Sequence, residues 1–116
     1  VFVLSIASDL IRGHTDTIIL AQLIGGDSYG YQINRAILEK TGSMYELKEA
    51  TLYTAFRRLE DSGFIFSYWG DEQTGARRRY YSITPQGKEE LERLKEDWQQ
   101  AKSLIDKIIN NENGRE

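Results

Sequence analysis

Cysteine is absent from this chain, and proline and histidine occur once each. Without thiols there is neither a disulfide nor a thiolate metal site, which suits a reducing compartment and leads us to expect a cytoplasmic protein. The single histidine, His14, lies in no nucleophile-elbow or phosphate-loop pattern, and the carboxylates are scattered at surface spacings. We therefore expect no enzyme, no metal site and no cofactor. No apolar run approaches the roughly 20 residues of a membrane span. The opening VFVLSIA is apolar but lacks a basic stretch before it and a small-residue cleavage site after it, so it does not read as a signal peptide. Residues 1–8 are expected to form an N-terminal arm or to be a remnant foreign to the native chain. A global basic excess is missing too: the net charge is −3.

What is present is an ordinary hydrophobic fraction of 40% with 28% charged residues, the balance of one small helical domain in 116 residues. The charge is unevenly placed. Residues 1–47 carry three basic and five acidic side chains, and residues 86–116 carry six and eight. Between them stand Lys48, Arg57, Arg58, Arg77, Arg78 and Arg79 against Glu49, Glu60, Asp61, Asp71 and Glu72. Only this middle segment has a positive balance, and it is clustered.

Helical spacing of apolar residues runs through DLIRGHTDTIILAQLIGG, with Asp9 as candidate N-cap, Ile11, Ile18 and Leu23 on the stripe, and Gly25-Gly26 as the stop. A second helix follows in SYGYQINRAILEKTG, capped by Ser28, burying Ile33, Ile37 and Leu38, and ending at Gly42. The third is EATLYTAFRRLEDSG, stopped by Gly63. The period then changes: FIFSYWG and RRYYSIT have strand composition around a loop holding Gly70 and Gly75, which makes a β-hairpin. YELKE, before the third helix, is expected to add a brief third strand. Thr84-Pro85 then opens a helix that nothing breaks until about Asn110. Helix, helix, helix, hairpin is the order of a winged helix-turn-helix. The expected fold is thus mainly α with a small β-hairpin: a winged domain over residues 9–84, a C-terminal dimerisation helix over 85–110, and a frayed tail over 111–116.

On a helical wheel, Leu52, Ala55, Phe56 and Leu59 gather on one side of the third helix. Ala50, Tyr53, Thr54, Arg57 and Arg58 gather on the other, a set able to hydrogen-bond phosphates and base edges. In the hairpin, alternation puts Arg77 and Arg79 on one face and Arg78 on the opposite one, just beyond Tyr80 and Tyr81, of which one ring faces the core and one faces outward. Two readings of these arginines stand side by side: contact with a sugar–phosphate backbone, or pairing across the hairpin with Asp71 and Glu72. In the last helix Leu91, Leu94, Trp98, Ala101, Ile105 and Ile108 step by three and four, a heptad seam. A winged domain cannot cover about 40 Å of such a seam, so a second copy is expected along it, with part of the seam packing internally on the first helix. Trp98, in mid-seam, is either packing or one wall of a slot for a flat aromatic molecule.

LIRGHTDTIILAQL, GDSYGYQI, LKEATLYTAFRRLEDSGFI and SYWGDEQTGARRRYYSITPQGKEEL together resemble the PadR family of bacterial transcriptional regulators, from about residue 9 to residue 110. The resemblance implies a dimeric, winged-helix, DNA-binding repressor. It is to the short branch with one C-terminal helix, not to the phenolic-acid-sensing branch with its larger C-terminal domain. Residue matching places Thr51, Tyr53, Thr54 and Arg57 of the recognition helix on DNA, with Lys48 before it and Gly75, Arg77 and Arg78 on the wing. EDWQQAKSLIDKII is similar to the multidrug-sensing short members, which implies that Trp98 stacks on a planar drug between subunits, with Leu10, His14 and Ile18 lining the same pore. The expected partners are double-stranded DNA carrying an inverted-repeat operator, a second copy of the chain and a planar aromatic effector, with no membrane. The competing expectation is a protein-interaction module that uses the winged domain and coiled-coil helix without touching DNA.

Overall fold

Five helical pieces and one hairpin follow each other in the computed structural model, which describes residues 10–70 and 77–110. Asp9, Asp71, Glu72, Gly75, the arm at 1–8 and the tail at 111–116 lie outside the described residues. A 3-10 turn at Arg12–His14 leads directly into α1, Thr15–Leu23. The first helix is therefore not continuous from its expected start, because the chain tightens around Gly13 and Thr15 Oγ1 donates to Arg12 O at 3.1 Å. α1 is apolar nearly all round, and Ile19, Leu20 and Leu23 are fully enclosed. It is the axis against which the other elements pack.

α2 spans Gly30–Lys40. Ser28 does not cap it. The N-cap position is Tyr29, while Ser28 pairs its backbone with Tyr81, N–H to O at 3.1 Å and O from N–H at 2.7 Å, and donates its hydroxyl to Gln32. That bridge supplies the third strand-like rung expected of YELKE. Residues 45–48 form no strand. Asn34 serves them instead, donating Nδ2 to Leu47 O at 2.8 Å and accepting Leu47 N–H at 2.9 Å, so a side-chain amide stands in for a neighbouring strand.

α3, Glu49–Asp61, buries Leu52, Ala55, Phe56 and Leu59, the stripe read from its periodicity. It ends as a Schellman motif: Gly63 sits at φ 80°, its N–H reaches Glu60 O at 3.0 Å, and Phe64 N–H reaches Leu59 O at 3.0 Å. β1, Ile65–Trp69, and β2, Arg79–Ile83, are antiparallel, in register from Ile65↔Ile83 to Trp69↔Arg79. Tyr81 points inward and stacks on Phe56 with centroids 3.8 Å apart, fastening the hairpin to α3; Tyr80 points to the other face. Thr84 then caps α4, Pro85–Asn110, accepting Gly87 N–H at 3.0 Å and donating to Gly63 O at 2.7 Å. Gly87 must stay small, since a Cβ there would lie 2.1 Å from the Phe64 carbonyl oxygen. A 26-residue helix is about 39 Å long, and the domain touches it from its start to about its middle, at Trp98.

Candidate nucleic-acid interface

The outward face of α3 has two flanks. Lys48, Ala50, Thr51, Tyr53, Thr54, Arg57 and Arg58 are all exposed, opposite the buried stripe. Tyr53, Arg57 and Glu60 border an open groove of about 690 Å³ between α3, the start of α2 and the hairpin. Ala50, Thr51, Thr54 and Arg58 border a second, of about 580 Å³, facing the turn before α1.

Cations and aromatic rings line the first groove. The Arg77 and Arg79 guanidinium carbons stand 5.3 and 5.6 Å from the centre of the Trp69 ring, and that of Arg78 stands 4.8 Å from the centre of Tyr29. Arg77 and Arg79 thus share the Trp69 ring while Arg78 turns to Tyr29, and all three border the one groove. Arg79 is partly committed inside the protein: its Nε donates to Ser67 Oγ at 3.1 Å, and a terminal nitrogen lies 3.9 Å from Glu60. The carboxylate that meets it belongs to α3, and Asp71 and Glu72 are outside the described residues. For Arg57 no carboxylate partner occurs among the described residues. Tyr53 leans over the start of α2, where a Cβ on Gly30 would come within 2.5 Å of its hydroxyl. The absence of a side chain at Gly30 lets the phenol lie flat there, with its ring edge-on to Phe56.

On the second flank Arg58 grips Asp16 of α1 through two nitrogens, and this hydrogen bonding raises the guanidinium above its ordinary range. The sequence pattern puts Arg58 on the outer face without making it a contact residue, and it singles out neither Asp16 nor Trp69 nor Tyr29. Trp69 was findable, because strand alternation opposite Arg79 puts its ring beside the arginines. Nothing in the sequence links Asp16 to Arg58.

The residues expected around a planar ligand part company. His14 and Trp98 meet edge-to-face with centroids 4.9 Å apart, and Lys102 Nζ stands 5.8 Å from the Trp98 ring. Leu10 is exposed, whereas Ile18 is half-buried and turned toward the core. Trp98 borders an open concavity of about 710 Å³ together with Glu92, Arg93, Lys95, Glu96 and Gln99. The internal part of the expected seam is its beginning. Leu91 is 1% exposed within its own protomer and Leu94 packs against that core, so α1 and its neighbours already cover both. Further along, Ala101 is half-buried, while Leu104, Ile105, Ile108 and Ile109 stand in the open. Among the described residues no three potential ligands gather for a metal, and no helix is long and apolar enough to cross a membrane.

Three comparisons bear on this geometry. The family profile described as "Transcriptional regulator PadR-like family" matches residues 19–93. A transcriptional regulator from Clostridium thermocellum of known structure is 52% identical, with a TM-score of 0.79, covering 86% of this chain and 94% of its own. A PadR family transcription regulator from Clostridium difficile is 35% identical, with a TM-score of 0.70, over 83% and 98%. In sequence, a protein of Lysinibacillus sphaericus is 45% identical over 87% of this chain and 93% of its own length. The negative transcriptional regulator PadR of Bacillus subtilis is 31% identical over 69% of this chain, and the match spans only 42% of that longer protein.

Proposed function

The chain belongs to the PadR-like family of transcriptional regulators, and from that premise we propose that it is a homodimeric repressor binding an inverted-repeat operator. One recognition helix per protomer enters the major groove through Thr51, Tyr53, Thr54 and Arg57, with Lys48 at its start. The wing lays Arg77 and Arg78 along the sugar–phosphate backbone, with Gly75 as a further proposed contact. The observation that carries this reading is the groove in which Arg57 of α3 and Arg77 and Arg78 of the hairpin converge. Arginines from two separate elements facing one concave surface suit a polyanion of DNA's width, even on a chain of net charge −3.

Dimerisation runs along the far half of α4, where Ala101, Ile105 and Ile108 continue the apolar repeat beyond the domain. Half-sites on one face of DNA recur about 34–36 Å apart, which two winged domains flanking a shared helix pair can span. Trp98 lies near the middle of the same helix, and a planar aromatic effector stacking there between subunits would bias the dimer toward a spacing that fits DNA poorly. Effector and operator then weaken each other's binding by the same factor.

A gel shift against the chain's own upstream region at two salt concentrations tests the central claim. Affinity should fall steeply with salt. R77A with R78A should bind more weakly with a shallower slope, by about one unit for each phosphate that an arginine no longer neutralises. An unchanged slope removes the wing from the interface; no binding at either salt leaves the protein-interaction reading. Planar aromatic compounds should quench Trp98 fluorescence, and saturating titrations without response in a DNA-binding preparation would leave Trp98 a packing residue.

A further inference from the structure

Asp16 and Arg58 meet where the start of α1 faces the outer side of α3. Arg58 donates Nε to Oδ2 at 3.4 Å and a terminal nitrogen to Oδ1, so the carboxylate holds the guanidinium from its side. A guanidinium has five N–H donors in a rigid plane. This grip takes two and leaves its end, a parallel pair of N–H groups, directed away from Asp16. Helical side chains lean toward the N-terminus, which directs Arg58 along α3 toward Thr54 and Thr51. These residues, with Arg12 and Asp16, line the second groove. The Arg58 side chain stays 51% exposed although Asp16 holds it.

Two features decide what Arg58 can bind. Its charge is already balanced by Asp16, so a phosphate would meet a nearly neutral pair and the repulsion of a carboxylate. A neutral base edge meets no such penalty. Its plane is also fixed before DNA arrives, and a fixed pair of parallel donors matches two acceptors side by side. In the major groove that pattern is O6 and N7 of guanine, the commonest specific arginine contact. We infer that Arg58, held side-on by Asp16, reads a guanine in each half-site of the operator, with Asp16 as its positioning residue. This rests on the DNA-binding reading above and adds to it a determinant of sequence.

The test is selection from a randomised duplex library with the full chain as wild type, R58A, R58K and D16N. The wild type should enrich a guanine at one fixed place in each half-site. R58A should keep the rest of the selected sequence and lose preference at that place by about tenfold or more. R58K keeps the charge without the planar fork and should also lose it, which carries the test if R58A fails to fold. D16N should keep the guanine with discrimination weakened several-fold. An R58A or R58K selection identical to the wild type overturns the inference, as does a D16N variant that melts earlier with base preference intact, since the pair is then only a brace. A salt slope that drops in R58A as it does in the wing variant assigns Arg58 to phosphate and overturns it too. If the wild type selects no sequence, the DNA-binding reading itself fails, and this inference with it; normal wild-type selection unaffected at Arg58 sinks the inference alone.

Discussion

The two halves of α4 share one apolar repeat and have opposite surroundings. In the first, Leu91 is enclosed, Leu94 packs on the core and Gly87 fits under the Phe64 carbonyl. In the second, the same three-four stepping continues through Ala101 and Ile105 to Ile108, which is 74% exposed. A helix keeps its period for its whole length, whereas the domain reaches only to about its middle, where His14 meets Trp98. Beyond Ala101 the outer half therefore presents a stripe of aliphatic side chains left exposed among the described residues, and burying such a stripe is the usual drive for association.

The largest effect that would break this contrast concerns the outer half. Ile105→Glu with Ile108→Glu should convert dimer to monomer in sedimentation, and operator affinity should drop by about 10²–10⁴-fold as two linked half-sites become independent. A dimer that survives both charges would move the interface elsewhere. Next in size is the inner half. Leu91→Ala should cost about 2–5 kcal/mol in denaturant unfolding. Ile108→Ala, by contrast, should act only through protein concentration, with an effect within about 0.5 kcal/mol on a single copy. Equal, concentration-independent losses at both positions would erase the distinction. The smallest effect lies on the surface of the inner half, where Arg93 donates to Glu90 at 2.7 Å and this hydrogen bond holds the Glu90 carboxyl below its ordinary range. A depressed carboxylate contributes stability above its unfolded pKa and loses it as pH falls through the folded one. Glu90→Gln should therefore melt slightly below the wild type at neutral pH and match it in acid. A gap that widens on acidification would contradict the pairing.

Much of this architecture is legible in local patterns. The inward stripe of α3 follows from 3.6-residue spacing, the stop at Gly63 from glycine's tolerance of positive φ, and the start of α4 from Thr84-Pro85. The hairpin shows itself in the change of period after Phe64, and the opposite facing of Tyr80 and Tyr81 in the twofold repeat of a strand. Local pattern misleads where a residue's partner lies far along the chain. Ser28 has the chemistry of an N-cap, yet Tyr81 recruits its backbone into a bridge. The piece at 45–48 has strand composition, yet Asn34 satisfies it before any strand can. Leu91 and Ile108 occupy equivalent places in one repeat, and no repeat says which of them the domain will cover.

By itself the sequence determined the elements: three helices and a long fourth, a hairpin, the outward residues of α3, and a family likeness along most of the chain. These depend on interactions within a few residues, which spacing and composition record. The tertiary structure alone decided which apolar residues of α4 are enclosed, that Arg79 turns back to Glu60, and that Asp16 of the first helix holds Arg58 of the third. Those outcomes depend on how whole elements cross in space. The geometry of a crossing belongs to the packed core, not to any window of the chain.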